Sequence, residues 1–235
     1  GRRFVEAARR CPKPVVVLKG GRTAAGGRAV ASHTASLAGD HAVFSAALAQ
    51  HGIFEARDAF EMASFCEALS AYPVHRPVHR VGILTGSGGH GALAVDACDG
   101  RGLAAPEFST GLREAIRSSL SPRIQGIASA GNPVDLTGSA ADDHFIAAAR
   151  AMAASDEIDG VLVLLLPYLP GITLDLGARL SRALEGTGKP LAAYVPHDPR
   201  YRILIEGFEG NGVPVADEIR GAVDMLAALR GGRTE

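Results

Sequence analysis

Tryptophan is absent from the 235 residues and aromatic side chains make up 5% of them, too few for a base-stacking platform or an aromatic sugar-binding cleft. Charge of one sign is also missing: 24 Lys and Arg stand against 25 Asp and Glu, for a formal net charge of −1. Without a basic stripe, nucleic acid is not an expected partner. No apolar run approaches the ~18 residues that a membrane span needs, so no membrane partner is expected either. Cysteine is scarce. Cys11, Cys66 and Cys98 occupy unrelated contexts with no C-x-x-C spacing and cannot all pair, which fits a reduced, cytoplasmic setting. The first residues contain neither an initiator Met nor an apolar signal core and read as the body of an amphipathic helix, so the sequence is expected to begin inside a domain.

Apolar side chains and glycine are what the chain does have. Hydrophobic residues make up 47% and charged residues 21%, enough apolar surface for a folded globular protein. Glycine is unusually common at 29 residues, or about 12% against an average of about 7%, and it is clustered. At ~150 residues per domain, the length gives a prior of about 1.6 domains. Periodicity predicts a helix ending near Arg10, a strand over 14–18, a glycine-rich loop over 20–27, a helix over 37–51, a strand over 53–56 and a helix over 59–69. The stretch 72–79 has two prolines, two histidines and no periodicity, and reads as a linker. Strands are then expected over 80–85, 160–166, 191–195 and 213–215, with helices over 92–100, 111–120, 142–154, 174–184 and 217–229. Alternating strands and helices, with strands apolar on both faces, predict an α/β protein with parallel sheets.

Four segments carry candidate chemistry. Gly21-x-x-x-x-Gly26 is followed by Gly27-Arg28, where a Walker loop needs Lys and then Ser or Thr, so no Walker A site is present. Beyond it lies Ser32-His33-Thr34, just before a predicted helix whose free N–H groups would attract an anion. A neutral imidazole there is a competent nitrogen nucleophile toward phosphorus; a surface-loop histidine beside a capping hydroxyl is the competing reading. Gly86, Ser87, Gly88, Gly89, His90 and Gly91 satisfy G-x-G-x-x-G after a strand, with Glu107 placed where a ribose-binding acid would sit. Pro106 in the segment that holds Glu107 weakens that fingerprint. A phosphate-binding nest serves either reading. In Asn132-Pro-Val-Asp-Leu-Thr137, the proline forces Asn132 to be extended, and Asp135 and Thr137 read first as loop-fixing groups. His197-Asp198 and the histidines at 41, 51, 75, 79 and 144 lack metal-ligand spacing, so no metal site is expected.

These motifs together resemble a known family. Lys13-Pro-Val-Val-Val-Leu-Lys-Gly-Gly-Arg22, Ser32-His33-Thr34 and Leu37-Ala-Gly39 are similar to the α part of ADP-forming (NDP-forming) acyl-CoA synthetases, of the succinyl-CoA synthetase superfamily. Gly82-Ile-Leu-Thr-Gly-Ser-Gly-Gly89, Ala94-Val-Asp96, Gly131-Asn-Pro-Val-Asp135 and Lys189-Pro-Leu-Ala-Ala193 resemble the subdomain that follows. The resemblance implies two flavodoxin-like parallel-sheet subdomains: residues 1–72, truncated at the N-terminus, and residues 80–235, joined by a linker over 73–79. It implies that acyl-CoA, ADP and phosphate interconvert with acid, CoA and ATP through a phosphohistidine at His33. Two helix N-termini would grip the phosphate, with Ser32, Thr34, Ser36 and Gly39 on one side and residues 86–91 on the other. CoA and Mg-bound ATP or ADP would be substrates rather than permanent cofactors, supplied through a CoA-binding domain and an ATP-grasp domain in the same chain or another subunit, with a small carboxylic acid as co-substrate and an oligomer as the assembly. Ala35, where the family usually has Gly, and His90, where Pro is common, depart from the pattern. The remaining alternatives are an NAD(P)-binding domain at residues 86–91 with Glu107, and a non-catalytic acyl-CoA-binding regulatory module.

Overall fold

Short runs of β-branched and aromatic residues give the first sheet. β1 (Val16–Leu18) and β2 (Phe54–Ala56) pair in parallel with Val16 opposite Phe54 and Leu18 opposite Ala56, a register that needs a crossover between them. The computed structural model describes residues 1–33, 39–166 and 168–231, in two compact units, Gly1–Cys66 and Glu67–Glu235. In the first, α1 (Arg2–Arg10) precedes β1, α2 (Ala24–His33) and α3 (His41–Gln50) lie between the strands, and α4 (Ala59–Ala71) follows β2. The division between the units falls within α4.

Two boundaries differ from expectation. The loop predicted over 20–27 ends at Thr23: Gly21, at φ +82°, makes the turn, and Thr23 Oγ1 accepts the Gly26 N–H at 3.0 Å. That is an N-cap bond, so Gly26 and Gly27 belong to the helix and α2 runs on to His33. The following helix begins at His41, where Asp40 caps it; residues 37 and 38 of the expected helix lie outside the described residues.

In the second unit a five-stranded parallel sheet has the order β4-β3-β5-β6-β7, from β3 (Val81–Thr85), β4 (Val134–Asp135), β5 (Gly160–Leu164), β6 (Leu191–Tyr194) and β7 (Val215–Ala216). Counted within the unit this is 2-1-3-4-5, the flavodoxin-like order. Around it lie α5 (Gly88–Asp99), α6 (Thr110–Ser119), the single turn α7 (Pro122–Gln125), α8 (Asp142–Ala153), α9 (Leu176–Leu184), α10 (Arg202–Glu209) and α11 (Ile219–Ala228). Leu84, Val161, Val163, Leu191 and Ala193 share one core with buried residues of α6, α8, α9 and α10. Strand side chains alternate, so their buried neighbours Ile83, Leu162, Leu164 and Ala192 face α5 and α11, which pack together.

The outer edge of β3 is completed in three pieces. Near its start the Val81 N–H donates to Ala104 O at 2.7 Å, and at its end Leu84 and Thr85 pair with Val134 and Asp135. Between them the Asn132 side chain stands in for a strand: its Oδ1 accepts the Ile83 N–H at 2.9 Å, and its Nδ2 donates to Val81 O at 2.9 Å and Pro106 O at 3.0 Å.

Residues 73–79, expected as a linker, pack on the second unit. The Tyr72 hydroxyl donates to Leu191 O at 2.7 Å and accepts the Leu191 N–H at 3.0 Å, His75 is buried with Nδ1 2.8 Å from Tyr72 O, and the buried Val78 donates its N–H to Leu229 O at 3.1 Å. Proline disrupts helical periodicity without preventing burial, which is why this segment reads as a linker in the sequence.

Two outcomes test this packing. Replacing Asn132 by Ala strands the Ile83 N–H and two carbonyls, and costs about 2–4 kcal/mol of stability by chemical denaturation; a loss within 0.5 kcal/mol, roughly the surface-mutation range, contradicts the strand-mimic role. Burial pushes the Tyr72 phenol up to about 12, against a smaller opposing effect of its bond to Leu191. The native state therefore holds this proton more tightly than the unfolded chain, and its contribution is complete below pH 10 and lost as pH rises toward 12. Over that window wild type loses more stability than Tyr72→Phe; equal losses show that Tyr72 does not couple to folding.

Candidate functional site

In the flavodoxin-like order the strand sequence reverses between β3 and β5, and ligands collect in the crevice at the carboxyl ends of those strands. The loop after β3 is built for close approach. Thr85 Oγ1 accepts the Ser87 N–H at 3.1 Å and lies 3.2 Å from Ser87 O, which turns the chain off the sheet. Ser87 is the N-cap of α5 in an extended conformation, yet its hydroxyl makes no cap bond and lies 3.4 Å from His90 Nδ1. The first-turn amides of α5 are therefore free of a side-chain cap, and a helix amino end in that state attracts anions. Gly88, Gly89, His90 and Gly91 form this first turn, where the sequence suggested a loop and a helix from residue 92.

Three of the glycines make room for specific neighbours. A Cβ on Gly86 would lie 3.2 Å from Leu169 Cδ1 and 3.4 Å from Thr137 O, one on Gly88 would lie 3.1 Å from Asp135 Oδ2, and one on Gly91 would lie 3.0 Å from Pro133 Cβ. The His90 ring lies 5.8 Å from that of Tyr194 at the end of β6, tilted by 31°. Burial, then the charge of Asp217, raises the Tyr194 phenol, so it is neutral at physiological pH. The far wall, after β5, is fixed by Asp142, which accepts the Thr173 N–H at 3.0 Å and pairs with Arg179 at 2.7 Å.

The other candidate residues lie in the first unit. Ser32 and His33 are the last residues of α2 rather than a lead-in to the next helix, and the Ser32 hydroxyl donates to Ala29 O at 2.7 Å. Thr34 and Ser36 lie outside the described residues. Gly39 is exposed with open space at its Cα. The amino end of α3, expected to be open to phosphate, is occupied: Asp40 Oδ1 accepts the N–H groups of Ala42 at 2.7 Å and Val43 at 3.4 Å.

Glu107 is 88% exposed at its side chain and pairs with Arg113 at 3.9 Å. The acid beside Thr85 is Asp135 of β4, so the dinucleotide fingerprint lacks its acid in the expected place. His144 belongs to a helix start, accepting the Ala141 N–H at 3.0 Å. Among the described residues no group of three His, Cys, Asp or Glu is placed to hold a metal ion, and no helix is long and apolar enough to cross a membrane. From the sequence Asp135 reads as a loop-fixing residue; the signal for more is its place two residues after the proline that packs on Gly91.

Comparison with known proteins agrees with this architecture. Residues 1–69 match the succinyl-CoA ligase like flavodoxin domain and residues 81–174 the Ligase-CoA domain. The α subunit of acetate–CoA ligase [ADP-forming] II of Pyrococcus furiosus is 34% identical over 225 residues, which is 91% of this chain and 47% of the relative. The chain belongs to the ADP-forming acyl-CoA synthetase family, within its α part. A second P. furiosus α subunit, of acetate–CoA ligase [ADP-forming] I, is 34% identical over 97% of this chain and 49% of its own length. The dinucleotide-forming acetyl-coenzyme A synthetase 1 of Ca. Korarchaeum cryptofilum, solved in complex with phosphate and ADP, superposes with a TM-score of 0.82 at 28% identity, over 97% of this chain and 49% of that one. The chain thus spans about half the length of these relatives.

The three thiols of this family member differ in exposure. Burial pushes the Cys98 thiol up to about 12, whereas Cys11 and Cys66 are exposed. A thiol reagent at pH 8 is expected to label Cys11 and Cys66 and spare Cys98 until the protein unfolds; labelling of Cys98 at the rate of the other two contradicts its burial.

Proposed function

We propose that the chain is the phosphoryl-handling portion of an ADP-forming acyl-CoA synthetase and that His33 is its nucleophile. In the complete reaction, inorganic phosphate displaces CoA from acyl-CoA to give an acyl phosphate. An imidazole nitrogen of His33 then attacks phosphorus, the P–O bond to the acyl group breaks and the carboxylate leaves. The phosphohistidine finally gives its phosphoryl group to ADP and regenerates the imidazole. The open amino end of α5 supplies fixed dipoles for the anionic group, and no metal is needed at this half-site.

The observation that carries this reading is the pairing of a family match along both units with an uncapped helix start at the β3/β5 switch point. Asp40 holds the amino end of α3, so α5 is the helix whose N-terminus is open to phosphate. CoA and Mg-bound nucleotide would enter through a CoA-binding domain and an ATP-grasp domain in the same chain or a partner subunit, with a small carboxylic acid as co-substrate, in a cytoplasmic oligomer.

Incubating the full chain and its nucleotide-binding partner with labelled ATP or acetyl phosphate is expected to give an acid-labile, base-stable protein phosphate. His33→Ala is expected to abolish this label and to lower turnover at least about 10³-fold, as loss of a covalent nucleophile does. Label retained in His33→Ala would falsify the assignment.

A further inference from the structure

A carboxylate stands beside the amino end of α5, a place that the helix dipole favours for a negative group and that any bound anion would share with it. Asp135 is the last residue of β4, held level with Thr85 by the sheet register. Its Oδ1 accepts the Thr137 N–H at 2.9 Å, which fixes the rotation of the group. Its Oδ2 lies where a Cβ on Gly88, the first residue of α5, would come to 3.1 Å, so the absent side chain lets this oxygen sit against the helix start. Among the described residues no Lys, Arg or His forms an ion pair with Asp135. Ser87 and His90, on the same turn, supply a hydroxyl and an imidazole.

An ionised carboxylate next to an anion site repels any ligand that carries only bare oxygens. It attracts one that carries a proton, because an O–H···O⁻ bond is charge-assisted and short. Inorganic phosphate keeps a P–O–H at neutral pH and sulfate has no proton to offer. A repulsive group of this kind separates two ligands of equal shape.

We propose that Asp135 is a specificity-determining residue: its Oδ2 accepts the P–O–H of inorganic phosphate, and the site thereby takes phosphate and refuses sulfate. The proposal rests on the reading of α5 as the phosphate-binding helix and adds to it the choice among oxyanions. Binding is the only event involved, and the proton stays on phosphate.

Equilibrium binding of inorganic phosphate and of sulfate to the full chain at neutral pH tests it, in wild type and in Asp135→Asn. The asparagine keeps an acceptor for the Thr137 N–H and turns its NH₂ toward the position of Oδ2. Wild type is expected to prefer phosphate by at least about 100-fold, below the roughly 10⁴–10⁵-fold by which a buried site that hydrogen-bonds a hydroxyl rejects the analogue lacking it. In Asp135→Asn that preference falls to within about tenfold, mainly through tighter sulfate binding. Wild type binding both anions within tenfold of each other overturns the proposal, and this arm stands even where the variant does not fold. An unchanged ratio in a folded Asp135→Asn also overturns it while leaving α5 as the phosphate helix. Failure of both proteins to bind either anion removes the α5 reading itself, and the proposal with it.

Discussion

Everything at the candidate site depends on how closely the start of α5 approaches the end of β4. Gly91 against Pro133 and Gly88 against Asp135 are contacts that a methyl group would close to about 3 Å, tighter than ordinary van der Waals packing. The asparagine two residues before Val134 fixes the opposite side of the same junction by bonding to both backbone directions of β3. Glycines on the helix and Asn132-Pro133 on the adjoining segment are therefore two halves of one constraint. The helix start can face the crevice uncapped because it is held from behind.

The two units treat their helix starts in opposite ways. In the first, Asp40 neutralises the amino end of α3 with its own carboxylate, and α2 places Ser32 and His33 at a helix carboxyl end. In the second, Ser87 has the identity of a capping residue but turns its hydroxyl to His90. Capping residues that do not cap leave backbone donors for a ligand. The uncapped helix start thus belongs to the second unit alone, whereas the described helix start of α3 in the first is capped.

Much of this was legible in the sequence for identifiable reasons. Val81–Thr85 and Gly160–Leu164 are short apolar runs bounded by polar or glycine residues, as doubly covered strands are, and they fall within a residue or two of the predicted strands. Helices α8, α9 and α11 have apolar faces that periodicity detects. By contrast β4 is two residues long and set by the edge it completes, so no local pattern announces it. The first turn of α2 reads as loop in the sequence because Gly26 and Gly27 lower helical propensity, and the Thr23 cap outweighs them. The segment 73–79 reads as a linker because its prolines hide that His75 and Val78 are buried.

By itself the sequence determined the class of fold, the two glycine-rich openings and the family to which the motifs belong, because hydrophobic period and motif spacing are local properties. Only the tertiary structure decided which helix start is open, that Asp135 rather than Glu107 stands beside Thr85, and that Asn132 serves as a piece of strand. Each of those outcomes depends on groups far apart in sequence meeting at the carboxyl edge or flank of one parallel sheet. Strand order makes that choice, and no run of neighbouring residues encodes it.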